Sequence, residues 1–260
     1  MCRLALYLGP PRPLAPLVFG GTHPLAEQAW APRELLTGSV NADGWGVAWF
    51  TPQGPVRLAA AEPVWYDPDL PAALGAVESS AQLAVLRNAT VGLFVDRAGL
   101  QPFVGGGWAF ALNGYVQDFR PRFMRAFRAE LPDALYGELR GCSDAETLFL
   151  LLRARLDAGA PAARALQDLA AWVVAEVRAV GAEAQLTMAL VGPGEAHAVR
   201  TGTAERTNTL YAGRGCAVGP AGVVVASEPL TDEAVWEAVP EHHALEVRAD
   251  GSVRVERLAR

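Results

Sequence analysis

A chain of 260 residues with 51% hydrophobic and 19% charged side chains can bury a sizeable core and lies outside the composition of disordered chains. All 22 of its basic residues are arginine, against 28 acidic residues, so the net charge of -6 comes without a lysine, and chemistry that needs a Schiff-base or P-loop lysine is excluded. No clustered basic run suits nucleic acid, no apolar stretch reaches the roughly 20 residues of a membrane span, and the three cysteines have no CxxC spacing, so a reducing, cytoplasmic setting is expected.

The apolar segment from Cys2 to Leu8 reads as a buried strand that stops at Gly9-Pro10-Pro11. Leu25 to Trp30 suggests a short helix. Trp45 to Phe50 reads as a strand leaving the small polar segment Asn41-Ala42-Asp43-Gly44, Gln82 to Leu86 leads into Arg87-Asn88-Ala89-Thr90, and Trp108 to Leu112 leads into Asn113-Gly114. Three times a strand adjoins a polar or glycine-containing cluster. Arg120, Arg122, Arg125 and Arg128 are spaced to share one side of a short helix, read as a solvated face or else an anion or subunit contact.

At Ser143 the texture changes, because Ser143 and Glu146 have capping-box spacing before the apolar run Thr147 to Leu152, and Ala162 to Val180 continues with helical periodicity. Short strands return at Leu186–Val191, His197–Arg200, Thr209–Ala212, Val223–Ala226, Leu245–Val247 and Val253–Leu258. Strands, then helices, then strands fit an α+β fold of two antiparallel sheets with helices packed outside them. With no linker-like stretch or repeat, residues 1–260 are expected to form one domain.

Cys2 has two readings. It is an incidental small residue after the initiator methionine or, once Met1 is removed, a nucleophile and base in one residue, its thiol and free α-amine titrating near roughly 8.5 and 7.7–8.0. An amide-cleaving thiol needs donors for the developing oxyanion. The Asn113 side chain and the Gly114 N–H can supply them just past a strand end, although Asn-Gly is also the common hairpin turn. Arg87 suits a substrate carboxylate and Asp144 an ammonium; each taken alone is equally a surface ion-pair member or a helix-start charge. His242-His243 point to opposite faces of an extended segment without a further ligand cluster, so no metal is expected, and no cofactor is called for. His23 and His197 have no evident catalytic partner, and Cys142 reads as a small buried residue or, being close to Asp144, as one near the pocket.

Taken together, Met1-Cys2-Arg3, Asn41-Ala42-Asp43-Gly44-Trp45-Gly46, Arg87-Asn88-Ala89-Thr90-Val91-Gly92, Asn113-Gly114, Ser143-Asp144-Ala145-Glu146 and Ala226-Ser227-Glu228-Pro229-Leu230 with Trp236 resemble the class II glutamine amidotransferases. The resemblance is closest to their stand-alone branch of ergothioneine-pathway amidohydrolases. It implies the four-layer αββα sandwich of N-terminal-nucleophile hydrolases, with Cys2 as nucleophile and its α-amine as base. It further implies Asn113 and Gly114 as oxyanion donors, Arg87 on the substrate carboxylate, Asp144 on the ammonium with help from the Gly114 backbone, and Thr90, Asn41, Gly44 and Trp45 around the pocket. Ser227-Glu228-Pro229 matches a family segment without an assignable chemical role. Two positions depart from the pattern, Leu112 where family members commonly carry histidine before Asn-Gly, and Leu4 where histidine follows Met-Cys-Arg.

The implied partner is a small γ-glutamyl amide, with neither nucleic acid nor membrane. The activities left open are hydrolysis of a γ-glutamyl conjugate, glutaminase action feeding ammonia to a separate protein, and a silent γ-glutamyl-binding or scaffold role. No room is expected for a second, ammonia-accepting site on the same 260 residues, and a homo-oligomer stays possible.

Overall fold

The computed structural model describes residues 2–36, 38, 40–88 and 97–259. In chain order the strands are β1 (Arg3–Pro13), β2 (Trp45–Thr51), β3 (Gly54–Ala60), β4 (Glu78–Leu86), β5 (Phe103–Gly105), β6 (Trp108–Val116), β7 (Ala184–Gly192), β8 (Glu195–Gly202), β9 (Tyr211–Arg214), β10 (Val223–Ala226), β11 (Trp236–Ala238), β12 (His243–Arg248) and β13 (Val253–Arg257). The helices are α1 (Ala15–Phe19), α2 (Leu70–Gly75), α3 (Met124–Ala129), α4 (Asp133–Tyr136), α5 (Asp144–Asp157) and α6 (Ala162–Ala179). They build two sheets whose paired strands are antiparallel, ordered β11-β9-β10-β1-β4-β2-β3 and β13-β12-β8-β7-β6-β5.

Strand alternation sorts the core into three layers. Cys2, just before the first strand, and Leu4, Leu6 and Leu8 within it meet Ala109, Ala111, Ala189 and Ala198 between the sheets, where small residues let the two faces approach. Ala5 and Tyr7, one residue out of phase, turn to the opposite face and pack with Leu17, Val18, Leu70 and Leu74 of α1 and α2. On the far side, Phe110 and Leu112 of β6 meet Leu148, Phe149 and Leu169 of α5 and α6. The expected αββα order is present with unequal outer layers, since α6 has 18 residues and α1 only five. No helix among the described residues is long and apolar enough to cross a membrane.

Several elements differ from the sequence reading. The first strand does not stop at Gly9-Pro10-Pro11 but runs on to Pro13, with its register to β4 shifting between Leu8 and Arg12. Its pairing with β10 covers only Ala5 to Leu8, so the prolines sit where one flank carries no ladder and a missing N–H costs little. The expected helix at 25–30 is a single 3-10 turn, Glu27–Ala29. The arginine cluster is not one solvated face, because Arg120 and Arg122 lie in a π-helical turn, Phe119–Phe123, while Arg128 in α3 turns inward to Thr147 Oγ1 and Gly141 O. Cys142 is half-buried rather than buried.

Candidate active site

Cys2 enters the first strand at one end of the inter-sheet layer, 6% exposed, with its Sγ 3.8 Å from the backbone oxygen of Asn88. Burial pushes its thiol above the ordinary value of 9.0; the N-terminal charge, the Asn88 contact and the Arg87 charge pull it down, and Asp144 adds to the rise. The thiol is therefore the resting form, and attack requires a base to take its proton.

Arg87, 6% exposed, follows β4 and is held by its backbone, its N–H donating to Gly44 O at 2.8 Å and its carbonyl accepting from Asp43 N at 3.1 Å. The intervening turn depends on Gly44, whose φ of +119° and whose approach to Ala60 O, 2.7 Å from where a Cβ would sit, leave no place for a side chain.

Asp144 opens α5 just after its cap, Ser143, whose side chain accepts from Glu146 N at 3.1 Å. The Asp144 carboxylate accepts from Val116 N at 2.9 Å and Ala145 N at 2.8 Å, which fixes the helix start against the end of β6. Burial raises its pKa from 3.8, opposed by these N–H donors and by Arg87. Arg87 thus acts electrostatically on both Cys2 and Asp144, and thiol, guanidinium and carboxylate share one buried field. The capping box is completed differently from the sequence expectation, for the Glu146 carboxylate accepts from Arg140 N and Gly141 N in the preceding loop.

Asn113 and Gly114 are neither a hairpin turn nor just past a strand end; they lie within β6, opposite Thr187 and Leu186 of β7. Local propensity favoured a turn there, and pairing with a strand some 70 residues away overrides it. Alternation turns Asn113 inward with Ala109 and Ala111, and its Nδ2 donates to Ser227 Oγ at 3.2 Å. Ser227 Oγ also accepts Leu4 N at 3.0 Å, so the amide is tied two residues along the chain from Cys2. Gly114 abuts the neighbouring strand, where a Cβ would lie 1.9 Å from Gln185 O. Leu112, at the position of the missing histidine, faces the helices in the outer core and away from Asn113. Its backbone N–H and carbonyl are both taken by the Gln101 side chain, at 2.6 and 3.0 Å, which extends the ladder before β5 begins.

Other expected pocket residues part company. Trp45 turns to the outer core with Tyr7 and Leu86, because positions 45 and 47 of β2 alternate away from the inter-sheet layer, and it walls a cleft of about 320 Å³ together with Glu62, Tyr66 and Asp67. Asn41 is held within its own loop, its N–H on Ala29 O at 2.7 Å and its Nδ2 on Gln28 O at 3.4 Å. Thr90 lies outside the described residues. Among the described residues no group of three or more His, Cys, Asp or Glu could hold a metal ion; His242 Nδ1 instead meets Thr201 Oγ1 at 3.0 Å and His243 Nδ1 the Glu241 carbonyl at 2.8 Å.

Sequence reasoning left Ser227-Glu228 without a role, and the structure supplies one for each face of the first strand. Ser227 faces inward to Asn113. Glu228, 1% exposed, faces outward and accepts from Arg33 N at 2.8 Å and Glu34 N at 2.9 Å while pairing with His23 Nε2 at 3.1 Å and Arg3 Nη2 at 3.3 Å. It anchors the loop that leads to Asn41.

The family model for class II glutamine amidotransferases matches residues 25–207, a span that holds Arg87, Asn113, Gly114 and Asp144 and begins after Cys2. The chain belongs to the class II glutamine amidotransferases. Gamma-glutamyl-hercynylcysteine sulfoxide hydrolase of Mycolicibacterium smegmatis is 30% identical to this amidotransferase-family chain over 249 residues, covering 95% of it and 96% of the relative. The protein of the same name from Mycobacterium tuberculosis is 32% identical over 251 residues, covering 96% and 94%. Among solved structures, a glutamine aminotransferase class-II domain protein from Silicibacter pomeroyi superposes with a TM-score of 0.73 at 25% identity over the whole of both chains. The glutamine phosphoribosylpyrophosphate amidotransferase of B. subtilis shares the fold at a TM-score of 0.65 and 14% identity, with the chain spanning 49% of it.

Proposed function

We propose that this class II amidotransferase hydrolyses a γ-glutamyl amide, with γ-glutamyl-hercynylcysteine sulfoxide as its substrate and Cys2, exposed by removal of Met1, as its nucleophile. What supports the reading is that Cys2, Arg87 and Asp144 are all buried and that the Arg87 charge acts on both the thiol and the carboxylate. The end-to-end similarity to the two mycobacterial hydrolases supports the choice of conjugate.

In the proposed reaction Arg87 grips the substrate α-carboxylate and Asp144 its α-ammonium, which places the γ-carbonyl beside Cys2. Because burial disfavours the thiolate, the α-amine of Cys2 takes the thiol proton as sulfur attacks. The oxyanion forms against Asn113 Nδ2 and the Gly114 N–H. Collapse breaks the C–N bond, the departing amine takes the proton, and water then cleaves the thioester to release glutamate and restore the thiol. Gly44 and Asn41 support the pocket through the loops they fix, and Thr90 belongs to the arginine segment. A cytoplasmic enzyme acting in ergothioneine synthesis fits this chemistry.

Incubation of the protein with γ-glutamyl-hercynylcysteine sulfoxide, γ-glutamyl dipeptides and glutamine, followed by glutamate release, tests the reading. The conjugate should turn over fastest. Glutamine turning over best, with a rise on adding a partner, would instead mark an ammonia-donating subunit. Cys2→Ala should abolish turnover with an unchanged melting temperature, and intact mass should show that active protein lacks Met1.

A further inference from the structure

Between the two sheets runs a chain of polar contacts whose direction is set by groups that can play only one part. Asn208 is buried in the loop between β8 and β9, where its own carbonyl accepts from Thr187 Oγ1 at 3.0 Å. Its Nδ2 lies 3.1 Å from the backbone oxygen of Asn113 and 2.9 Å from the Asn113 side-chain oxygen. A backbone carbonyl has no hydrogen to give, so the Asn208 atom facing it has to be the amide nitrogen. The Asn113 atom beside that same nitrogen is then the acceptor, Oδ1. This turns Asn113 Nδ2 to the opposite side, where Ser227 Oγ accepts one of its hydrogens at 3.2 Å while also accepting the Leu4 N–H at 3.0 Å. The second Asn113 N–H hydrogen remains for a reacting carbonyl.

A carboxamide turned by 180° occupies the same volume with donor and acceptor exchanged, and packing alone barely distinguishes the two. In the wrong orientation Asn113 would present Oδ1 to a developing oxyanion, replacing attraction by repulsion. We infer that Asn208 and Ser227 are positioning residues that lock the Asn113 amide with its donor edge toward the reacting carbonyl, Asn208 by holding Oδ1 and Ser227 by holding Nδ2 and the strand that carries Cys2. This rests on the γ-glutamyl hydrolase reading for the identity of the oxyanion, and on the hydrogen bonds alone for the orientation. Neither residue touches the substrate.

Two variants test it. Asn208→Asp keeps the shape but places an acceptor against Asn113 Oδ1, and Ser227→Ala removes the acceptor from Nδ2. Melting temperatures establish that each folds, and the rate of Cys2 alkylation by iodoacetamide establishes that the thiol remains reachable. The side-chain amide resonances of Asn113, assigned by their loss in Asn113→Ala after selective asparagine 15N labelling, read the orientation without turnover. The expected result is a shift of those resonances in both variants. On the conjugate, kcat should fall about 10- to 100-fold with KM within about threefold, a fraction of the loss of a full oxyanion donor. Unmoved Asn113 resonances in both variants, or kcat within about twofold of wild type in both, would overturn the inference. Should the wild-type protein hydrolyse no γ-glutamyl amide, the function reading fails on its own, and the resonances alone decide whether the two residues hold Asn113. If Asn208→Asp does not fold, Ser227→Ala decides by both readouts.

Discussion

The two faces of the first strand solve one problem with different chemistry. On the inner face the contacts that place Asn113 and Leu4 are neutral hydrogen bonds through Ser227 and Asn208. One residue on, the outer face is charged, with the fully buried Arg3 guanidinium meeting Glu228 beside His23. Neutral bonds set direction without adding a net charge beside Cys2, where the N-terminal charge, Arg87 and Asp144 already act. Charge is kept on the far side of the sheet, where it can gather long loops: Glu228 reaches residues 195 and 194 positions away. Tyr211 extends the same cluster, donating to the Glu34 carboxylate, and burial with that bond pushes its phenol up to about 12.

The comparison predicts that removing the outer carboxylate costs mainly stability. Arg3 has its Nε, Nη1 and Nη2 buried without a hydrogen-bond partner among the described residues, Nη2 meeting Glu228 as an ion pair only, and burial lowers its pKa while Glu228 opposes the fall. Glu228→Ala leaves that guanidinium uncompensated and should destabilise the fold by about 3–5 kcal/mol in urea denaturation. Adding Arg3→Met should restore a large part, because the orphaned charge goes with it. A double variant no better than Glu228→Ala would show that the backbone contacts to residues 33 and 34 carry the effect.

The inner side should answer to pH in binding and in stability with opposite signs. Burial raises the Asp144 carboxyl above 3.8, so the folded state holds its proton to a higher pH than the unfolded chain does. As pH rises from the ordinary carboxylate range through the raised value, the group loses that proton at a cost, and its contribution to stability falls. Ligand binding runs the other way, since the substrate ammonium needs the ionised form. KM should therefore drop as pH rises through the same window. Asp144→Asn should flatten that limb and raise KM about 30-fold or more, the penalty for leaving a buried charge unpaired. A pH-dependent KM that survives in Asp144→Asn would assign the limb to another group.

What was legible in the sequence was whatever depends on local periodicity. The apolar run at Cys2 to Leu8, the Ser143 cap and the Ala162 helix are each specified by local pattern; the cap and the helix formed where expected, and the strand formed but ran past its expected stop to Pro13. Asn113-Gly114 shows the limit, because its strand state depends on Leu186 and Thr187 in β7 and its side-chain orientation on partners 95 and 114 residues away. Trp45 begins its strand as expected, but the sequence did not report its face, because a loop pattern does not show which way the first residue of a strand points; it turns to the outer core. Asn208 gave no signal at all; nothing near it in sequence hints at a carbonyl in β6. Glu228 had only its neighbours Ser227 and Pro229, and the ion pair that explains it joins opposite ends of the chain.

The smallest expected effect separates backbone from side chain on the outer face. The Arg33 guanidinium pairs with Asp232 at 3.4 Å, but the two side chains are 57% and 66% exposed, so water and salt screen the pair. Glu228 holds residue 33 by its N–H, which any residue but proline supplies. Arg33→Ala should therefore change stability by no more than about 0.5 kcal/mol and leave kcat and KM as they are. Arg33→Pro removes the backbone donor along with the guanidinium and should lose about 1–3 kcal/mol more than Arg33→Ala, the cost of an unmet bond to a buried acceptor. Equal losses in the two variants would place the anchor in the guanidinium and undo the assignment of Glu228 as a holder of backbone.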